Sequence, residues 1–185
     1  MPRRPRYAPA GQALHITNRG VERRQLFFND ADYREFLRLL RRGKDRFPVK
    51  VFGVCLMPNH FHALVRPDAE GALSAYLQWV QCCYACDLRA RTGTSGHGHV
   101  FQQRFWSHEI HDELHFLNVL RYIETNPVAC SLVERSEDWQ WSSLSLRIAQ
   151  DTLVDPLPLA LPTNWGDLVN HEPGYEEVDC AAVHF

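Results

Sequence analysis

The sequence predicts an α+β domain with the ferredoxin-like (RRM-like) architecture, in which an antiparallel sheet carries helices on one face. Strand-like and helix-like stretches follow one another in the order strand, helix, strand, strand, helix, strand, which is the ferredoxin-like order. The middle strands are separated only by Met57-Pro58-Asn59, a connection short enough to indicate an antiparallel hairpin. One further helix follows the last strand. With 45% hydrophobic and 23% charged residues in a chain of 185, the composition is typical of one globular domain.

Each element rests on a local pattern. Strands are predicted where apolar and polar residues alternate, and helices where apolar residues recur at i, i+3, i+4 and i+7. Asn29 and Asp112 can cap helices. Gly43 or Pro48 ends the first helix, and Pro127 is expected to stop the last. The predicted strands cover residues 12–18, 49–56, 60–66 and 100–110, and the predicted helices start at residue 29 and cover 72–91 and 112–126. The sheet face without helices would be left for a ligand.

The C-terminal part differs in composition from the rest. Beyond about residue 145 the periodic patterns fade into proline-containing, acidic sequence. We therefore predict a domain over residues 1–145 and a peripheral, partly irregular extension over residues 146–185. Residues 1–130 hold 18 Lys and Arg against 12 Asp and Glu, whereas residues 131–185 hold 2 against 10. This basic first part is equally compatible with nucleic-acid binding and with a solvated helix surface.

Cysteine usage and hydropathy narrow the class of protein further. The six cysteines are too few and too irregular for a disulfide scaffold. We expect reduced thiols, and structural zinc at Cys83 and Cys86 is the weaker alternative because that stretch is helical in pattern. No run approaches the roughly 18 apolar residues of a membrane span, and no apolar leader block follows the basic N-terminus. A cytoplasmic location without a membrane partner is expected.

The motif His60-Phe61-His62 begins the second hairpin strand. Side chains two residues apart in a strand lie on the same face, so both imidazoles can reach one metal ion while Phe61 packs in a core. With ten histidines in the chain, this spacing arises by chance about half the time, and His97-Gly98-His99 is a second example. The motif alone therefore leaves a metal site and a structural role equally open.

The last predicted helix carries a tyrosine and an asparagine on one face. Tyr122 and Asn126 are four residues apart, so they lie one turn from each other. An asparagine oxygen is a good ligand for a hard divalent cation, and a phenol one turn away would lie near whatever that cation binds. Taken by themselves, however, these residues fit a tyrosine at the rim of the core and a helix-capping asparagine better.

Five segments of the chain add a further pattern. They are His15-Ile16-Thr17-Asn18-Arg19-Gly20, Cys55-Leu56-Met57-Pro58-Asn59-His60-Phe61-His62, Gly98-His99-Val100-Phe101-Gln102-Gln103-Arg104-Phe105, Leu120-Arg121-Tyr122-Ile123-Glu124-Thr125-Asn126-Pro127-Val128 and Trp141-Ser142-Ser143. In this order they resemble the single-tyrosine HUH transposases, and most closely the REP-associated tyrosine transposases of bacteria. The resemblance covers residues from about 12 to 145. Gln103 departs from the glycine that many relatives have there.

The resemblance implies a set of site residues. His60 and His62 would be metal ligands, Asn126 would supply a third, side-chain oxygen ligand, and Tyr122 would be the nucleophile. The implied cofactor is a divalent cation, Mg²⁺ or Mn²⁺. The candidate DNA-binding residues, chosen because arginine suits phosphate contacts, are Arg19, Arg23, Arg24 and Arg104. Phe101, Phe105 and Trp106 could stack on bases where exposed, although we expect most of them to be buried.

The implied reaction is cleavage and rejoining of single-stranded DNA. Tyr122 would attack a phosphodiester and form a 5′-phosphotyrosine intermediate, leaving a free 3′-hydroxyl. The implied partner is single-stranded or hairpin DNA from a repeated (REP-like) palindrome, bound by a monomer or homodimer associated with the bacterial nucleoid. The alternatives are a non-catalytic hairpin DNA-binding protein derived from a transposase and a metal-dependent hydrolase that uses water.

Overall fold

The computed structural model describes residues 8–94 and 98–171. The basic N-terminal residues Arg3, Arg4 and Arg6, the histidine His97 and the last part of the predicted extension lie outside the described residues. In order along the chain, the strands and α-helices are β1 (Leu14–Arg19), α1 (Asp30–Lys44), β2 (Val49–Met57), β3 (His60–Pro67), α2 (Ala72–Thr92), β4 (Trp106–Glu109), α3 (Glu113–Ala129), α4 (Ser143–Ile148) and α5 (Trp165–His171).

The four strands form one antiparallel sheet in the order β2-β3-β1-β4. β3 lies between β1 and β2, the two strands that α1 connects, so each strand–helix–strand unit encloses a partner strand. This is the ferredoxin-like arrangement, and the predicted fold class is confirmed. The predicted helix caps are also present, since Asn29 Oδ1 accepts from Ala31 N at 2.9 Å and Asp112 Oδ1 accepts from His115 N at 2.7 Å.

The sheet separates two apolar cores. Ile16 and Phe61 pack with the helices α1 and α2 on one face, whereas Phe52 and Leu64 pack with α3 on the other. The sequence had led us to expect that this second face carries no helix, but in the structure α3 packs against it. The added helix covers its β2–β3 half, because α3 carries its own apolar stripe that needs burial. On the β4 side of this face Trp106 is exposed.

β4 is much shorter than the predicted strand over residues 100–110. Only Trp106–Glu109 pair with β1, and the preceding residues make a single isolated bridge, from Phe101 to Gly20. The regular pairing stops at Thr17 and Trp106, although β1 continues to Arg19. The physical reason is a mismatch in length, because the four residues 102–105 lie between Trp106 and the Phe101 bridge, whereas only Asn18 and Arg19 lie between Thr17 and Gly20. The surplus residues leave the ladder, and Gln102 N still donates to Arg19 O at 2.9 Å.

α3 continues past the proline that was expected to stop it. The helix ends at Ala129, with Pro127 inside its last turn. Proline holds φ near the helical value, so the helix can continue through it, although the hydrogen bond that an N–H at this position would donate to Ile123 O is lost. Cys130 N still donates to Asn126 O at 3.0 Å, so the carbonyl of the site residue keeps a helical partner.

The segment after residue 148 is irregular up to α5, as predicted, but it is not peripheral. Leu153 is fully buried in the α1–α2 core, and Trp165 and Val169 are buried in the core beneath α3. Asp151 forms an ion pair with Arg41 of α1 at 2.5 Å. Such contacts bind the segment to the domain through residue 171, while the division at residue 145 stays a prediction.

The acidic C-terminal segment neutralises part of the basic first half. Asp155 pairs with Lys44 at 2.7 Å and with Lys50 at 3.6 Å, and Arg38 pairs with Glu35 within α1 at 2.5 Å. The basic residues of α1 therefore have structural partners. None of the described helices is both long and apolar enough to pass through a membrane.

Candidate active site

The hairpin of β2 and β3 presents both histidines of the motif to α3. Phe61 is fully buried on the opposite face, where its ring lies 5.2 Å from the ring of Phe36. His60 and His62 are only 4% and 5% exposed and lie on the α3 face, with their ring centroids 5.0 Å apart. The alternation expected of a strand therefore places the two imidazoles side by side.

A glycine lets α3 approach the sheet closely. A Cβ atom at Gly53 of β2 would lie 2.7 Å from Leu120 Cδ1, so any larger residue there would force the Leu120 side chain to shift. Leu120 and Ile123 are fully buried in this contact. The close packing brings the half-buried Tyr122 over β3.

A buried carboxylate ties α3 to its other neighbours. Glu124 is fully buried, and its Oε1 accepts from Ser143 Oγ and pairs with Arg147. Its Oε2 accepts from Trp165 Nε1 at 2.8 Å. Arg147 also donates to Phe52 O at 3.0 Å. One side chain thus connects α3 with β2, α4 and α5, and it lies between the two predicted site residues of the helix.

Tyr122 faces the histidines, and Asn126 lies one helical turn beyond it. The half-buried Tyr122 ring meets the His62 ring edge-on, with centroids 5.3 Å apart and an interplanar angle of 85°. Asn126 is 1% exposed, and its Nδ2 donates to Tyr122 O at 2.7 Å. Because this bond uses the nitrogen end of the amide, the oxygen end is the one left to accept or to bind a cation.

The neighbouring Asn59 fixes the tautomer of His60. Asn59 Nδ2 donates to Arg23 O at 3.2 Å, which turns its Oδ1 toward His60 Nδ1, at 2.7 Å. An amide oxygen can only accept, so Nδ1 of His60 carries the proton. The lone pair that can ligate a metal is then on Nε2.

His15 of β1 makes the corresponding contact with His62. The two rings are stacked, with centroids 5.3 Å apart, and His15 Nε2 lies 3.1 Å from His62 Nδ1. The other ring nitrogen, His62 Nε2, is buried and has no hydrogen-bond partner among the described residues. Burial, helped by neighbouring histidines, lowers the pKa of His62 well below its ordinary value and the pKa of His15 to about 4. Both rings are therefore neutral at pH 7, the form that ligates a cation.

These donors fit a divalent cation. A buried ring nitrogen without a partner is costly, and a cation bound at His62 Nε2 would remove that cost. Across residues 8–94 and 98–171, no group of three His, Cys, Asp or Glu side chains has metal-binding geometry. The third protein donor would then be the amide oxygen of Asn126, and oxygen donors suit a hard cation such as Mg²⁺. The ligand assignments remain predictions.

Sequence reasoning missed three residues that shape this site. Alternation along β1 puts His15 on the face opposite to Leu14 and Ile16. Once the β1–β3 pairing is known, this pattern marks His15 as facing the other two histidines. Asn59 was noted only as a turn residue. Glu124 is an acidic residue among apolar neighbours of α3, which is a usable signal for a buried, paired carboxylate.

The four predicted DNA-binding arginines fall into two places. Arg19 lies opposite His60 in the β1–β3 register, and Arg23 and Arg24 follow in the exposed turn beyond β1. Arg104 is exposed and lines a cavity of about 780 Å³ between α2 and residues 98–105. Three arginines therefore surround the His60 end of the sheet, and the fourth lies along the neighbouring groove.

Comparison with known proteins assigns the family. The family model described as "Transposase IS200 like" matches residues 10–126. The chain belongs to the IS200-like transposase family. The matched region ends at Asn126 and includes β1, the β2–β3 hairpin and the turn of α3 that carries Tyr122, so the elements that build the site lie within it.

Two curated relatives and one solved structure resemble this IS200-like transposase. A Haemophilus influenzae protein, provisionally named a REP-associated tyrosine transposase, is 26% identical over 143 residues, covering 71% of this chain and 75% of its own. The Escherichia coli K12 REP-associated tyrosine transposase is 24% identical over 140 residues, covering 74% of each. A REP-associated tyrosine transposase bound to a REP hairpin has the same fold, with a TM-score of 0.67 at 20% identity, covering 96% of this chain and 98% of its own.

Proposed function

We propose that the protein is a metal-dependent single-stranded DNA endonuclease and strand transferase. It would act on repeated palindromic hairpin DNA through a 5′-phosphotyrosine intermediate. The observation that carries the proposal is the edge-on contact of the Tyr122 ring with His62, whose Nε2 is buried and has no hydrogen-bond partner within residues 8–94 and 98–171. A nucleophile beside a cation-ready nitrogen is the arrangement that transesterification at phosphorus needs. The relatives named for REP elements support the choice of substrate.

The chemistry assigned to Tyr122 is a balanced exchange of two ester bonds. Tyr122 Oη forms a bond to phosphorus while the bond from phosphorus to the 3′-oxygen breaks. The phenol loses its proton and the departing oxygen gains one, so the products are a 5′-phosphotyrosine and a 3′-hydroxyl. Because one phosphate ester replaces another, attack by a second 3′-hydroxyl can reverse the step and join strands without an external energy source.

The ligand residues would hold the cation at one edge of the phenol. His60 and His62 would bind it through Nε2, because each Nδ1 is engaged by a neighbour, and Asn126 would bind it through Oδ1. When bound, Mg²⁺ or Mn²⁺ would neutralise charge on the non-bridging phosphate oxygens and polarise phosphorus. The chain's own contribution is to turn both imidazoles correctly and to keep the imidazole of His62 neutral.

The arginines near the site would bind the DNA backbone. Arg19 lies across from His60, and Arg23 and Arg24 lie in the adjoining turn, so phosphates next to the scissile bond would meet positive charge. Contacts of this kind supply affinity without sequence preference and weaken with salt. The groove lined by Arg104 offers a second surface for the folded part of the substrate.

The decisive test asks whether DNA becomes covalently attached to the protein, and which end of the cleaved strand is attached. The protein is incubated with single-stranded DNA that carries the host's repeat element, labelled at either end, and run on a denaturing gel. In Mg²⁺ the 3′-end label should migrate with the protein and the 5′-end label should not, and chelation of the metal should abolish the complex. Cleavage without any adduct would favour the hydrolase alternative. Hairpin binding without cleavage in Mg²⁺ or Mn²⁺ would favour a non-catalytic binding protein.

His15→Ala is expected to weaken Mn²⁺ binding about 10- to 100-fold, the usual effect of losing a partner that orients a ligating histidine. The variant leaves His62 Nδ1 without its acceptor and frees the ring to turn. Calorimetric titration of the DNA-free protein with Mn²⁺ measures this directly. His108→Ala is the matched control, since His108 pairs with His15 in the sheet but is exposed. Equal affinities for His15→Ala and the control would contradict the orienting role.

A further inference from the structure

We propose that Trp106 is a stacking platform for a DNA base next to the phosphate that Tyr122 attacks, an inference that rests on the proposed function. The sequence offered three aromatic candidates for stacking in this region. Phe101 and Phe105 are buried at 9% and 6% exposure, whereas Trp106 is 58% exposed. Single exposed apolar side chains are common on protein surfaces, so the position of Trp106 carries the argument, and its exposure only permits it.

Trp106 is aligned with the candidate metal ligand across the sheet. Thr17 of β1 lies opposite His62 of β3 on one side and opposite Trp106 of β4 on the other. Directly opposed residues of antiparallel strands point to the same face, so Trp106 shares the face of the imidazoles and of Tyr122. Two strand spacings of about 4.8 Å place the Cα atoms of His62 and Trp106 about 10 Å apart. A nucleotide flanking the bound phosphate can span that distance.

The part of this sheet face that α3 leaves uncovered is the part that carries Trp106. α3 packs over β2 and β3, so a strand bound at His60 and His62 has to leave over β1 and β4. Trp106 and His108 are the β4 residues that face this way, and both are exposed. A cleft of about 570 Å³ wraps around the edge strand, lined by Trp106 and His108 from this face and by Leu14 and Ser107 from the other. The departing DNA would therefore cross the indole ring.

The chemistry of the ring selects a base as its occupant. An indole presents a broad flat surface that stacks on any nucleobase, whatever the sequence. Arg19 lies at the His60 end of the same face, and Arg23 and Arg24 lie in the turn beyond it. Guanidinium groups at these places suit phosphates. The arginines would contact the DNA backbone on one side of Tyr122 and His62, and Trp106 would stack on a base on the other side. Together these contacts would fix the scissile phosphate along the strand, which is the positioning that in-line attack requires.

Trp106→Ala is expected to weaken binding of single-stranded DNA about 5- to 150-fold, the range observed for losing one base–aromatic stack. Trp106→Phe should keep most of the affinity because a ring remains. Phe28→Ala is the matched control, since Phe28 is 56% exposed but precedes α1, away from this face. Binding is measured by fluorescence anisotropy in chelator, so cleavage does not interfere. Unchanged affinity in Trp106→Ala would overturn the proposal.

An abasic scan identifies the stacked base. One abasic site at a time is placed beside the scissile phosphate, and both proteins are titrated with each DNA. At one position the abasic site should weaken binding by the wild type as much as the Trp106→Ala substitution does. At that position the abasic site should not weaken binding by Trp106→Ala any further. If every position affects both proteins equally, Trp106 stacks on no base. A normal covalent complex with that result would reject only this inference, whereas stacking without any covalent complex would reject the proposed function.

Discussion

Tyr122→Phe is expected to abolish the covalent protein–DNA complex while leaving folding and DNA binding nearly unchanged. The substitution removes only Oη, and the ring keeps its edge-on contacts with His62 and His15, whose centroids lie 5.3 and 5.8 Å away. Phenylalanine has no oxygen with which to form the bond to phosphorus, so the loss should be complete rather than partial. The denaturing-gel assay with 3′-labelled DNA measures it, with DNA affinity determined in parallel.

Tyr33→Phe provides the matched control for this prediction. Tyr33 belongs to α1 and packs in the core on the opposite face of the sheet, so the same loss of a hydroxyl there should leave the covalent complex at its normal level. A normal level of complex in Tyr122→Phe would remove Tyr122 from the role of nucleophile. Loss of complex together with loss of DNA binding would instead point to a damaged site.

Glu124→Ala is expected to produce the largest loss of stability, about 3–5 kcal/mol of unfolding free energy. The carboxylate is fully buried, and its removal leaves Arg147, Ser143 and the Trp165 indole nitrogen without their acceptor. Since the same contacts hold α3 against α4 and α5, the variant should also lose covalent complex at temperatures where it remains folded. Urea denaturation followed by circular dichroism measures the stability.

Two further variants separate charge from packing. Glu124→Gln keeps the shape and one of the two acceptor oxygens, so its loss should be smaller than that of Glu124→Ala. Glu134→Ala removes an exposed acidic residue beyond α3 and should change stability by less than about 0.5 kcal/mol. A change of under 1 kcal/mol in Glu124→Ala would contradict the anchoring role of the buried network.

The third helix shows how far sequence reasoning reaches at this site. The spacing of Tyr122 and Asn126 predicted both side chains on one face of the helix, and the structure places the Tyr122 ring against His62. Nothing in that spacing showed that the helix crosses to the second face of the sheet. The segment Trp141-Ser142-Ser143 was similarly recognised only as a motif. In the structure, Leu56 N donates to Trp141 O at 3.0 Å and Ser143 Oγ donates to Glu124, so the motif extends the edge of β2 and anchors α3.

Sequence patterns by themselves determined the order of the elements, the antiparallel hairpin, and the shared face of His60 and His62, because all three follow from local periodicity and short connections. Tertiary structure alone decided that His15 would turn His62, that Asn59 would turn His60, and that Trp106 would be left exposed on the face that bears the imidazoles. These contacts join residues that are distant in sequence, through strand register and helix placement. No local pattern contains that information, because register is set by how the two cores pack on opposite faces of the sheet.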